Sequence, residues 1–165
     1  MHIHNNISPL SESFYKSTRE KLLNLIHEEN LDGCLVTNPA NIFYFTGFFY
    51  VTNERPSGFY LSKNNKTKLF IPLLEKENAE SLNVDEINIY EEFPGEISPF
   101  SFMANHISEK NVGTDIKNIS ILNLLENKFD ILDHETGLEN FRFEKLDEEI
   151  SPENHALNEF LHALS

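Results

Sequence analysis

The sequence predicts an α/β layered domain with a mixed central sheet covered on both faces, and three observations carry that expectation. Short apolar stretches with strand patterning alternate along the chain with amphipathic helical patterns, the signature of strands and helices stacked in layers. Two of the strand patterns, Gly58 to Leu61 and Lys68 to Leu73, are joined by the polar turn Ser62 to Thr67, which makes a hairpin and therefore an antiparallel pair within the sheet. Three Ser-Pro pairs, at Ser8, Ser98 and Ser151, are placed like helix starts, with serine able to cap and proline suited to the first helical position.

Residues 1–7 read as a flexible tail. From Ser8-Pro9, the residues Phe14, Thr18, Leu22, Leu25 and Ile26 fall on one face at helical spacing, and Asn30 supplies a left-handed end. The run Leu31 to Thr37 reads as a buried strand. Asn38-Pro39 stops it, because proline has no N–H for a ladder and disfavours helix at the residue before it. A short helical turn follows, with Pro39 at its first position, Asn41 within it, Ile42, Phe43 and Phe45 as apolar anchors, and Gly47 free to take a positive φ. After the hairpin, Leu73 to Leu82 reads as an acidic helix, and Ile87 and Ile89 mark a strand that Phe93-Pro94-Gly95 breaks. Phe100, Met103, Ala104 and Ile107 give a helical face from Pro99 to Lys110. A short strand, Asn111 to Asp115, leads to a helix Ile119 to Glu126 capped by Asn118, and Phe129 and Ile131 suggest a last strand.

The chain has 165 residues, a single domain by length and one that buries about 70% of its unfolded surface. Its only cysteine, Cys34, lies in the apolar Leu31 to Val36 run, reads as a small buried hydrophobe and fits a reducing cytoplasm. A net charge of −14 with only 13 Lys and Arg argues against nucleic acid and anionic lipid, since both are held by basic side chains on phosphates. Neither a signal peptide nor an apolar run of membrane-spanning length is apparent.

The run Asn41-Ile42-Phe43-Tyr44-Phe45-Thr46-Gly47-Phe48 resembles the signature of the amino-terminal domain of the creatinase, prolidase and Xaa-Pro aminopeptidase family. Glu54-Arg55-Pro56, the strand ending in Ile71-Pro72 and the following Glu77-Asn78-Ala79 are similar to that domain too. So is Phe141 to Ile150, which resembles the segment leading into the family's catalytic domain, with Glu144 and Leu146-Asp147 as departures. The resemblance implies a three-layer sandwich of five or six strands with helices on both faces, spanning residues 8–150, with 151–165 starting a helix toward a catalytic domain. It also implies a hydrolase with two divalent ions, manganese, cobalt or zinc, in that other domain. None of the family's five metal ligands has a matching position here, so this chain is expected to be non-catalytic and to need no cofactor of its own.

The residues themselves offer few alternatives. His155, Glu159 and His162 share a helix stripe, but a metal centre needs ligands from a second element. Asp130, Asp133, His134 and Glu135 lack the spacing of a calcium loop, and His27 and His106 read as surface or boundary residues. Six aromatics occupy the eight positions from Phe43 to Tyr50. Most belong to a core, yet Phe48, Phe49 and Tyr50 run on into a polar loop with Arg55, so some should reach a surface. The resemblance implies that this surface packs against the catalytic domain of its own or a neighbouring subunit, in a homo-oligomer, and helps form the rim that admits short peptides. The rival reading is a stand-alone binding or dimerisation module. A last expectation concerns 152–164, where Ala156, Leu157, Phe160, Leu161 and Leu164 form an apolar helical stripe that should fold back or pair with a second chain.

Overall fold

The computed structural model describes residues 10–50, 54–91, 97–130 and 132–133. In chain order the elements are α1 (Glu12–Glu28), β1 (Gly33–Val36), α2 (Pro39–Thr46), β2 (Gly58–Ser62), β3 (Thr67–Pro72), a 3-10 turn (Leu73–Glu75), α3 (Lys76–Ala79), β4 (Glu86–Tyr90), α4 (Pro99–Asn105), β5 (Val112–Thr114), α5 (Ile119–Glu126) and β6 (Leu132–Asp133). The six strands form one sheet in the order β4-β3-β2-β1-β5-β6. Strand β2 runs antiparallel to both β1 and β3, while β3–β4, β1–β5 and β5–β6 are parallel. The hairpin thus makes the sheet mixed, as the sequence implied.

Alternation along the strands divides the core in two. Cys34, Val36, Phe59, Leu61, Leu69 and Ile71 point to one face, where α1, α2 and α3 contribute Phe14, Leu22, Ile26, Phe45 and Ala79. Leu35, Tyr60 and Phe70 point to the other, where α4 and α5 contribute Met103, Ala104 and Leu125. Each Leu or Phe so buried is worth roughly 1.5–3 kcal/mol, and their period-two placement is what fixes which face each strand presents.

Local chemistry sets most boundaries. Asn30, expected as a left-handed end, has φ 55°, and Asn118 caps α5 by accepting from the backbone N–H groups of Ser120 and Ile121. The first helix starts later than Ser8: Ser11 is its cap, accepting from Phe14 N–H at 3.2 Å. The acidic helix expected over Leu73 to Leu82 is only a 3-10 turn and the four-residue α3, since Pro72 ends β3 in extended geometry and Leu73 and Leu74 stay exposed. Helix α4 stops at Asn105 instead of Lys110, because the chain turns at His106 to send Ile107 into the core. The tail 1–7, Ser8-Pro9, Phe93-Pro94-Gly95, Ile131, the segment 141–150 and the helix expected over 152–164 lie outside the described residues.

Candidate functional site

The parallel strands β1 and β5 end side by side, and there the chain turns into α2. The first backbone N–H groups of a helix have no partner within it and carry partial positive charge. Here those of Ala40 and Asn41 meet the cap Asn38, and the two N–H groups just before the helix meet Asp115. Asn38 Oδ1 accepts from Ala40 N–H (2.9 Å) and Asn41 N–H (3.4 Å). Asp115, just past β5, accepts from Thr37 N–H (2.8 Å) and Thr37 Oγ1 (3.2 Å) with Oδ1, and from Asn38 N–H (2.9 Å) and Asn41 Nδ2 (3.1 Å) with Oδ2. Burial raises the Asp115 carboxyl above its ordinary value, and the four donors pull it partly back. Asn41, expected only as a turn residue, is therefore a buried donor to a carboxylate 74 residues away in sequence. Asp115 escaped the sequence reading. Its signal is an aspartate at the end of one strand, opposite a second strand whose end opens directly into a helix.

Helix α2 ends as the sequence expected. Gly47 has φ 79° and its N–H bonds Phe43 O at 2.8 Å; a side chain there would be strained and would meet the Tyr15 hydroxyl. Thr46 Oγ1 donates to Ile42 O (2.6 Å) and accepts from Phe48 N–H (3.0 Å), turning the chain outward. The four residues expected at a rim then separate. Phe48 is 2% exposed and belongs to the core, because Gly47 reverses the backbone and returns that side chain beneath α2. Phe49 and Tyr50 are half-buried, with Phe49 edge-on to Phe43 at 6.0 Å and Tyr50 tilted against Phe48 at 6.3 Å. Arg55 is exposed. Beside them Tyr90 OH donates to Pro56 O at 2.7 Å, tying the incoming end of this loop to the end of β4.

Among the described residues no three His, Cys, Asp or Glu side chains are grouped to hold a metal ion, and Asp115 has its oxygens committed to four donors. A two-ion centre therefore does not fit the residues described. The stripe His155, Glu159 and His162, with His134 and Glu135, lies outside them. Asp130 is exposed, as are His27 and His106. Cys34 is fully packed, and burial pushes its thiol up, away from the reactive thiolate. No helix among the described residues is long and apolar enough to cross a membrane.

The sequence model of the creatinase/prolidase N-terminal domain matches residues 19–143. The chain belongs to that family. An uncharacterized peptidase of Staphylococcus haemolyticus is 33% identical to this creatinase/prolidase N-terminal domain over 86 residues, which is 50% of the chain and 24% of the peptidase. The fold is similar to that of a proline dipeptidase from Streptococcus pneumoniae, with TM-score 0.63 and 22% identity over 76% of this chain and 97% of that one. It is similar again to an Xaa-Pro dipeptidase from Bacillus anthracis, with TM-score 0.66 and 18% identity, covering 82% of this chain but 38% of the dipeptidase. The chain spans about a quarter of the length of the curated peptidases it matches first.

Proposed function

We propose that this creatinase/prolidase N-terminal domain is the non-catalytic part of an Xaa-Pro aminopeptidase or dipeptidase-type hydrolase of the cytoplasm. It packs against the catalytic domain of its own or a neighbouring subunit, and the half-buried Phe49 and Tyr50 with the exposed Arg55 contribute to the rim that short peptides pass. The family match over 19–143 carries this reading, and the chemistry that cleaves the peptide, with its paired divalent ions, belongs to the other domain. Phe48 drops out of the rim and serves as the anchor beneath it.

Two experiments test the proposal. Purified chain supplied in turn with manganese, cobalt and zinc is expected to hydrolyse neither Ala-Pro nor Gly-Pro, because none of the resembled family's five metal ligands, which would lower the pKa of a bound water, has a matching position in it. Chelator-sensitive turnover would overturn the non-catalytic role. When the catalytic domain of a full-length relative is supplied in trans, amide exchange in 49–55 is expected to slow; exchange unchanged at saturating partner would remove the rim assignment.

A further inference from the structure

Two neighbouring parallel strands hand the chain to opposite faces of the sheet. Strand β1 runs into α2, which packs on the face of Cys34 and Val36, and β5 leads through residues 115–118 into α5, whose Leu125 packs on the other. In α/β sheets the carboxyl ends of strands at such a reversal are where ligands bind. Here the place is taken from within. The Asp115 carboxylate, at the end of β5, spans to the end of β1 with two donors on each oxygen: Thr37 N–H and Thr37 Oγ1 on Oδ1, Asn38 N–H and Asn41 Nδ2 on Oδ2. All four donors come from residues 37–41, a stretch held by the burial of α2 and by the Asn38 cap. The carboxylate and its cradle thus lie on separate pieces of the chain.

We propose that residues 37–41 form a carboxylate receptor at this reversal and that Asp115 is its tethered ligand, which closes the position to diffusible acids. The donors set the ligand class. Two for each of two oxygens match a carboxylate, and none of the four carries a formal charge. A buried charge without a counter-ion is costly, so the cradle favours a monoanion over a doubly charged phosphate. Because the tether makes the contact intramolecular, Asp115 is present at high effective concentration and a free acid does not displace it. Removing the Asp115 carboxylate leaves all four donors in place, and the cradle then takes a small carboxylate from solution.

Urea melts of the full chain in formate, acetate or chloride at matched ionic strength test the receptor. Asp115→Ala keeps Cβ and leaves room for formate alone, whereas Asp115→Gly also admits acetate, whose methyl group replaces Cβ. Formate is expected to stabilise both variants beyond chloride, each tenfold rise above half-saturation multiplying the folded-to-unfolded ratio by about ten. Acetate is expected to stabilise only Asp115→Gly, and the intact chain should respond to the three salts alike. Thr37→Val in the Asp115→Ala chain removes one donor and is expected to weaken formate binding about tenfold. A formate response no larger than that to chloride in both variants overturns the proposal. So does acetate acting on Asp115→Ala as strongly as on Asp115→Gly, since a site shaped for the missing atoms must tell them apart. If a variant fails to fold in chloride, its folding yield replaces the melt, and a yield no higher in formate overturns the proposal equally.

Discussion

Helices α2 and α5 are alike in length and in their first cap and opposite in how the fold holds them. Each has eight residues, and each starts at an asparagine whose side chain accepts two backbone N–H groups. Seven residues of α2 are buried, against Leu125 alone in α5, whose Ile119 is 73% exposed. Polar ties add to the burial of α2: Thr18 Oγ1 donates to Tyr44 O (3.0 Å), Arg19 Nη1 to Phe45 O (3.3 Å), and Asp115 receives the helix start. Isolated helices this short do not persist in water. Tertiary contacts must make both, and the difference teaches that the family signature marks a helix welded to its sheet.

The largest expected effect lies at the weld. Asp115→Ala leaves the buried Asn41 amide and three part-buried donors, the N–H groups of Thr37 and Asn38 and the Thr37 hydroxyl, without an acceptor and is expected to cost roughly 3 kcal/mol, since each orphaned buried group costs about 1–3 kcal/mol. Asn118→Ala, the matching test on α5, should cost only about 1 kcal/mol, the usual value of a cap in contact with water. Urea melts of the two variants check the contrast, and equal losses would break it. Gly47→Ala comes next. A non-glycine residue at φ 79° costs roughly 1–2 kcal/mol, and the added Cβ would press on the Tyr15 hydroxyl. Unchanged stability in the same melts would mean that the end of α2 is not fixed as described.

These two helices also mark the reach of sequence reasoning. The bounds of α5, the Asn118 cap, the left-handed Asn30 and Gly47, and the hairpin were legible because each depends on residues within a turn of one another. What stayed hidden depends on distant partners: Asp115 meets Thr37 and Asn38 only once β1 and β5 lie parallel, and Phe48 falls inward because the chain reverses at Gly47. The start of α1 at Ser11 instead of Ser8 was a choice between two serines that both suit a cap. Phe49, Tyr50 and Arg55, proposed above for a rim, were singled out by the aromatic run and the resemblance, but no rule of spacing says which of six aromatics reaches the surface.

The smallest effect expected is the response to acid. Asp85, which accepts from Thr67 N–H (2.8 Å) and Thr67 Oγ1 (3.1 Å), and Asp32, paired with Lys63 at 2.8 Å, have carboxyls held below the ordinary value, Asp85 chiefly by the Thr67 backbone bond and Asp32 by the Lys63 side chain. Stability from a lowered carboxyl is complete above the unfolded value of about 4 and disappears as pH falls through the folded one. Asp115, raised by burial, contributes with the opposite sign and gains as pH falls. Asp85→Asn should therefore flatten the loss of stability below about pH 4, and a loss as steep as in the parent chain would assign the acid response elsewhere.

Native-state amide exchange of residues 40–47 and 119–126 measures the comparison itself. If α2 is welded by Asp115 and its burial, its slowest amides exchange only through global unfolding, while those of α5 exchange through local openings at least about tenfold faster. Equal protection in the two helices, or faster exchange in α2, would contradict the account.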